Sequence, residues 1–204
     1  MNSCYHLRDR PLQMDPKELA AIEACQAGTP GRFDDLYQLY AEKIYRFIFF
    51  KTFHRETAED ITSDVFMKAL ERIGQFDAAR GTFSAWIYRI ARNAVIDHYR
   101  TNRTSEEIED GWTVVSSTDV ERDAETAVAF EKVQEALKLL KPEQREIVVM
   151  RLWDGLSHQE IAAILGMTES NVKQVFSRTI RRLREEFGET ILMMVLAIGL
   201  GSLH

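Results

Sequence analysis

The chain is predicted to be all-helical, with two small helical domains joined by a flexible linker. Its 204 residues include only 4 Pro and 10 Gly, and no long alternation of Val, Ile and Thr suggests strands. Apolar residues instead recur at i, i+3 and i+4, which is the spacing of a helix with one buried face. A hydrophobic content of 45% is enough for packed cores.

The first predicted domain, residues 17–103, follows a flexible leader of residues 1–16. The leader lacks the apolar stretch of a secretion signal, so a cytoplasmic protein is expected. The first long helix carries one apolar stripe, formed by Phe33, Leu36, Tyr37, Tyr40, Ile44, Phe47 and Ile48. A second helix is expected to begin at a capping box of Thr57 and Asp60 and to end at Gly74. Its first turns are acidic, and carboxylates there stabilise the positive end of the helix dipole. The alternative is that they bind a basic protein partner.

A third helix is expected to begin at Thr82 and to run to about Arg100. Its polar flank is rich in arginine and comprises Arg89, Arg92, Asn93 and Arg100. Trp86 and Tyr88 lie among these residues, and aromatic rings interleaved with arginine are suited to single-stranded or melted nucleic acid. The alternative is a solvated basic face with Trp86 in the core.

An acidic linker rich in Ser and Thr, residues 104–123, precedes the second predicted domain, residues 124–187. Pro142 is typical of the first turn of a helix in this domain. Gly155 is expected to stop that helix before the segment with the clearest pattern in the chain.

Residues 157–184 have the pattern of a helix-turn-helix. Ser157 and Glu160 form a capping box, Gly166 suits a left-handed turn, and Thr168 caps the next helix. That second helix has a polar, mostly basic face made of Ser170, Lys173, Gln174, Ser177, Arg178, Arg181 and Arg184. Such a helix fits the major groove of B-DNA. The alternative is an αα-hairpin with a solvated charged face.

The formal net charge of −6 argues against tight binding to DNA by the chain alone, because neutralised phosphates supply most non-specific affinity. The chain is better suited to reading DNA that something else holds in place. Cys4 and Cys25 have no metal-ligand spacing, and neither a metal nor a cofactor is expected.

Residues 188–204 form an apolar tail, in which ILMMVLAIGL is apolar on all sides. It is shorter than the roughly 20 apolar residues that cross a bilayer, so no transmembrane span is expected. It is open whether the tail packs on the second domain, contacts an inhibitor or another partner, or rests on a membrane surface. We expect it to be buried, because an exposed apolar segment favours aggregation.

Residues 33–103 and 125–187 resemble the two domains of the extracytoplasmic-function (ECF) sigma factors of bacterial RNA polymerase. The segment AEDITSDVFMKAL is similar to their polymerase-binding helix, and FDAARGTFSAWIYRIARNAVIDHYR to the segment that melts and reads the -10 element. The segment from LKPEQ to RRLR is similar to the domain that reads the -35 element.

The resemblance implies that core RNA polymerase and promoter DNA are partners, and that an anti-sigma factor inhibits the chain. Asp60 and Asp64 would contact the polymerase. The -10 residues would be Phe76 and Asn93, around a flipped-out base, and Arg89, Arg92 and Arg100, on strand phosphates. The -35 residues would be Arg151, Ser170, Lys173, Gln174, Ser177, Arg178 and Arg181. Val175 and Ser177 depart from the family pattern of a basic and an aromatic residue at these positions.

Two other functions are weaker interpretations of the sequence. A free-standing helix-turn-helix regulator would leave the helix with interleaved arginine and aromatic residues unexplained. An all-helical enzyme could draw on His54, Asp60, Asp97 and His98, but the sequence contains no HExxH, paired-cysteine or phosphate-binding glycine motif.

Overall fold

The computed structural model describes the backbone of residues 14–102 and 124–201, and the side chains of residues 14–101 and 130–188. These residues form α-helices and short 3-10 turns without strands, so the predicted all-helical class is confirmed. The helices are α1 (Pro16–Gln26), α2 (Phe33–Thr52), α3 (Arg55–Arg72), α4 (Phe83–Asn102), α5 (Ala124–Lys138), α6 (Pro142–Leu152), α7 (His158–Leu165) and α8 (Glu169–Gly201).

The N-cap of helix α3 lies three residues earlier than the sequence predicts. The ring nitrogen Nδ1 of His54 accepts a hydrogen bond from the backbone N–H of Thr57 at 3.2 Å, so His54 is the N-cap. The predicted capping box of Thr57 and Asp60 is therefore wrong, because an imidazole takes the place expected of a hydroxyl. Phe53, with a left-handed φ of 51°, makes the turn between α2 and α3.

The loop between α3 and α4 is fixed at both ends. The side-chain amide of Gln26 donates to the backbone carbonyls of Ile73 and Phe76, at 3.0 and 2.8 Å. At the other end, Thr82 Oγ1 accepts from the backbone N–H of Ala85 at 3.2 Å, which confirms Thr82 as the cap of α4. The N-terminus of the arginine-rich helix α4 is thereby fixed relative to α1 and α3.

The helix-turn-helix has the predicted local geometry. Ser157 Oγ accepts from the N–H of Glu160 at 3.1 Å, and a Glu160 carboxylate oxygen accepts from the N–H of Ser157 at 2.9 Å. Gly166 is left-handed with φ of 70°, and Thr168 Oγ1 accepts from the N–H of Asn171 at 3.3 Å. Pro142 is the first residue of α6, as predicted.

The two domains pack directly against each other, which the sequence does not predict. Buried residues of α2 and α4 form one continuous apolar cluster with buried residues of α6, α7 and α8. Phe50 of α2 is only 2% exposed and packs with the second domain, its ring 4.5 Å from that of Trp153. The described part of the chain is therefore closed, with α2 and α4 facing α6 and α7.

The predicted leader and linker lie almost wholly outside the described residues. At the end of the leader, Met14 packs against the core and Pro16 already begins α1, so helix starts within the segment expected to be flexible. In the tail, the backbone is helical as far as Gly201 after a break at Gly188, where φ is 77°. The side chains of residues 189–204 are outside the described part, so their burial stays a prediction. Over the residues that the structure describes, no helix is long and apolar enough to span a membrane.

Candidate nucleic-acid interface

The polar face of α8 is fully presented to solvent. All seven residues that the sequence predicts on this face are exposed, namely Ser170, Lys173, Gln174, Ser177, Arg178, Arg181 and Arg184. The opposite side is anchored by Val172, Thr179 and Leu183, each at most 1% exposed. Lys173 pairs with Glu169 one turn earlier, at 2.5 Å. An exposed face on a buried anchor is the geometry that a groove-reading helix requires.

Arg151 does not belong to this face. It is 4% exposed, and its guanidinium donates to the backbone carbonyl of Leu156 at 2.9 Å. Its position on the buried side of α6 lets it hold the turn that leads into the helix-turn-helix. The structure therefore gives Arg151 a supporting role beneath the domain instead of a place against a DNA groove.

The basic flank of α4 is exposed except at Arg92. Arg89, Asn93 and Arg100 face solvent, and Ile96, 40% exposed, lies between them on the helix. Arg92 is half-buried, and its Nε lies 3.3 Å from a carboxylate oxygen of Glu146 on α6. Closure of the two domains thus occupies one of the predicted strand-binding arginines.

Phe76 lies in an aromatic cluster and does not line an open pocket. Its ring is 5.6 Å from that of Phe83 and 5.7 Å from that of Trp86, and the residue is 7% exposed. Trp86 is itself half-buried, so the expectation of a tryptophan in the core is met in part. Phe76 is thus buried, whereas Asn93 on α4 faces solvent.

A third exposed face, on α3, is acidic and apolar. Asp60 and Asp64 are four residues apart, so they lie one above the other on successive turns. Met67, 60% exposed, continues the same face. Next to α3, the half-exposed ring of Tyr37 packs on Phe66 with centroids 4.8 Å apart. Methionine and aromatic residues are enriched in protein–protein interfaces, and the two carboxylates beside them complement a basic partner.

Family models match both halves of the chain, "Sigma-70 region 2" over residues 36–104 and "Sigma-70, region 4" over residues 130–183. The ECF sigma factor SigX of Bacillus subtilis is 31% identical, over 75% of this chain and 82% of its own length. SigM of Mycobacterium tuberculosis is 32% identical, over 82% and 83%. The chain belongs to the ECF family of RNA polymerase sigma factors. It is 36% identical to the ECF sigma factor BldN of Streptomyces coelicolor, over 79% of this chain but 62% of BldN.

Two solved structures share the fold of this sigma factor. One is CnrH in complex with the cytosolic domain of CnrY, with a TM-score of 0.62 and 21% identity over 89% of this chain and 98% of CnrH. The other is the sigma factor RpoE in complex with the anti-sigma factor NepR, from Bartonella quintana. It has a TM-score of 0.61 and 23% identity over 75% of this chain and 94% of that one. At these identities the likeness concerns the fold.

The sigma factor has a set of polar contacts between its domains that sequence reasoning missed. Arg46 of α2 binds Asp154 at 2.8 Å, and Ser84 of α4 donates to Glu160 at 2.7 Å. Burial raises the pKa of Asp154, although the charge of Arg46 opposes this rise. The third contact joins Glu146 to Lys51 and Arg92, at the centre of the closed face.

One signal for these contacts exists in the sequence. Glu146 is followed by four consecutive buried apolar residues, 147–150, and is itself 6% exposed. A carboxylate at the start of an unbroken apolar run needs a charged partner, because burial of an unpaired charge is costly. Nothing in the local sequence indicates which cation that partner is. For metals, the part of the chain that the structure describes holds no group of three His, Cys, Asp or Glu side chains placed to bind an ion.

Proposed function

We propose that this sigma factor binds core RNA polymerase and directs transcription from promoters with separate -35 and -10 elements. The observation that carries the proposal is the exposed polar face of α8 on a helix-turn-helix with both of its caps in place. Residues 124–187 read the -35 duplex, and residues 17–103 bind the polymerase and melt the -10 element. The protein acts in the cytoplasm and has no catalysis of its own, so melting draws on binding energy.

On α8 the two kinds of contact fall to different residues. Gln174, Ser177 and Arg178 contact base edges, since amide, hydroxyl and guanidinium groups hydrogen-bond to bases in the major groove. The remaining positions, Ser170, Lys173 and Arg181, bind the flanking phosphates, which sets the register of the helix on the duplex. All six are exposed in the closed molecule, so duplex capture needs no rearrangement of the second domain.

On α4, the exposed Asn93 contacts an unpaired base of the -10 strand, and Arg89, Arg92 and Arg100 hold the strand phosphates. Phe76 supports this face from beneath, because its buried ring packs against Trp86. Arg151 is left out of the DNA-binding set on account of its burial.

The acidic face of α3 is the proposed contact with the polymerase. Asp60 and Asp64 are exposed there beside the apolar side chain of Met67. Attachment to the polymerase also explains how a chain with a net charge of −6 reads DNA. Once both domains are fixed on the enzyme, binding of one promoter element holds the other at a high effective concentration near the domain that binds it.

We also propose that an anti-sigma factor controls this protein. CnrH and RpoE of Bartonella quintana, which share its fold, have been solved in complexes, the latter with an anti-sigma factor. The apolar tail, residues 188–204, is a candidate contact for such an inhibitor.

Run-off transcription with purified core polymerase on genomic promoters tests the proposal. The full chain should yield defined transcripts that core enzyme alone does not. Tight binding to a symmetric operator without polymerase, together with no transcripts, would show a free-standing regulator instead.

Three variants separate the surfaces, each by a measurement of its own. Arg178→Ala should weaken capture of -35 duplex by about 1–3 kcal/mol, whereas Lys132→Ala, an exposed cation on α5, should not. Asn93→Ala should impair promoter opening and leave duplex capture intact. Asp60→Arg should reduce co-purification with core enzyme. Equal losses of duplex capture in all three would contradict this division of labour.

A further inference from the structure

Lys51 and Arg92 come from different helices of the first domain and converge on one anion. Lys51 lies in the last turn of α2, and Arg92 lies in the middle of α4. Lys51 Nζ binds the Oε1 of Glu146, and Arg92 Nε lies 3.3 Å from Oε2. Each oxygen of the carboxylate therefore has its own cationic donor, an arrangement that a phosphate group can accept equally well.

Lys51 and Arg92 both belong to the first domain, so their charges repel each other. Burial in the closed molecule lowers the pKa of Lys51, and the charge of Arg92 lowers it further. Glu146 opposes that lowering. Glu146 belongs to α6 of the second domain, so separation of the domains removes the anion and leaves two adjacent positive charges. Binding of another anion would relieve the repulsion between these two charges.

We propose that Lys51 and Arg92 form a phosphate site for the -10 strand, and that Glu146 fills this site while the domains are closed. The proposal rests on the proposed function and extends it with Lys51 as a strand-binding residue and with an internal competitor. Of the exposed faces of α3, α4 and α8 described above, only that of α4 is partly covered when the domains close. The acidic face of α3 and the polar face of α8 stay exposed, so polymerase and -35 duplex can bind before the domains separate.

The other contacts between the domains are part of the same competition. Arg46 with Asp154, and Ser84 with Glu160, hold α6 and α7 on the first domain and keep Glu146 in place. Loss of either contact should favour the open molecule and expose Lys51 and Arg92. Promoter strand binding and domain closure therefore exclude each other at one pair of side chains.

The test measures binding of the full chain to a fluorescein-labelled oligothymidylate by anisotropy across a salt series, because a phosphate contact does not depend on base sequence. Glu146→Gln should bind the strand at least about fivefold more tightly than wild type, the low end of coupling between sites. The matched control is Glu143→Gln, which removes one negative charge from an exposed position of the same helix and should bind as wild type does. Equal gains in the two variants would reduce the effect to net charge and overturn the proposal.

A second variant identifies the site itself. In the Glu146→Gln background, Lys51→Gln should lower the slope of log K against log salt by about 0.7, as expected for one lost contact with a single strand. Lys68→Gln, a matched loss of charge on α3, should leave the slope unchanged. An unchanged slope for Lys51→Gln would exclude Lys51 from the site.

A variant at Ser84 keeps the proposal testable if Glu146→Gln does not fold by circular dichroism. Ser84→Ala then takes its place, since it removes the contact between α4 and Glu160 and leaves Glu146 intact. That variant should also bind the strand more tightly, and wild-type affinity would count against the proposal. Run-off transcription by wild type distinguishes the two levels of inference. If wild type yields transcripts but Lys51→Gln does not change the salt slope, only this site is refuted. If neither wild type nor any variant yields transcripts, the proposed function is refuted.

Discussion

Replacement of Phe76 by alanine should destabilise the first domain, beyond any effect on DNA. The ring is 7% exposed and packs against Phe83 and Trp86 at 5.6 and 5.7 Å. Truncation of a buried phenylalanine costs about 3–5 kcal/mol, and each aromatic pair contributes about 0.5–1.5 kcal/mol of such a total. Phe76 lies in a loop that can partly collapse, so we expect about 3 kcal/mol. Against a total stability of about 5–15 kcal/mol, the variant remains folded but weakened.

Urea unfolding followed by tryptophan fluorescence measures this loss, because Trp86 lies beside the deleted ring. The denaturation midpoint should fall and the slope of free energy against urea should stay constant. Arg89→Ala, an exposed position on α4, is the control and should change stability by less than about 0.5 kcal/mol. A loss below about 1 kcal/mol for Phe76→Ala would refute the buried position. The ring would then be available to stack on an unpaired base.

Three further predictions concern the second domain, each measured by urea unfolding. Ser157→Ala should cost about 1 kcal/mol, because it removes the oxygen that accepts from the N–H of Glu160; no loss would show that Glu160 alone suffices as a cap. Gly166→Ala should cost about 1 kcal/mol through the left-handed φ of 70° alone, since no atom lies within 4 Å of the added Cβ. Burial raises the pKa of Asp154, so the folded protein binds this proton more tightly than the unfolded chain does. The stability that this proton provides is present below the usual carboxyl pKa of about 3.9 and is lost as pH rises through the raised value. Asp154→Asn should therefore gain in stability relative to wild type as the pH rises above about 4. The opposite trend would show that the pairing with Arg46 outweighs burial.

The sequence predicts the helix-turn-helix in detail because its determinants are local. Ser157, Gly166 and Thr168 each act within four residues of their own position, through a hydrogen bond or a backbone angle. The start of α3 was predicted incorrectly for a similarly local reason, since the ring nitrogen of His54 replaces the usual cap. Helical spacing also places Arg89, Asn93 and Arg100 on an exposed face of α4, but Tyr88, expected among the arginines, is 0% exposed.

The closed arrangement could not be predicted from the sequence. Lys51 and Glu146 are 95 residues apart, and Arg46 and Asp154 are 108 residues apart. A charge pattern along one helix carries no information about a partner at such a distance. The burial of Arg151 was also not predicted, although its guanidinium donates to the carbonyl of Leu156, only five residues along the chain.

The packing of Phe50 into the second domain has a consequence for synthesis on the ribosome. The first domain is complete well before α6 exists, because α4 ends at Asn102 and α6 ends at Leu152, about 50 residues later. At about 5–20 residues per second, that delay is roughly 2.5–10 s. During this interval the nascent chain presents the bare ring of Phe50 and the cations Arg46, Lys51 and Arg92 on one uncovered face. Every newly made molecule thus passes through a form in which this face is open to chaperones and to nucleic acid.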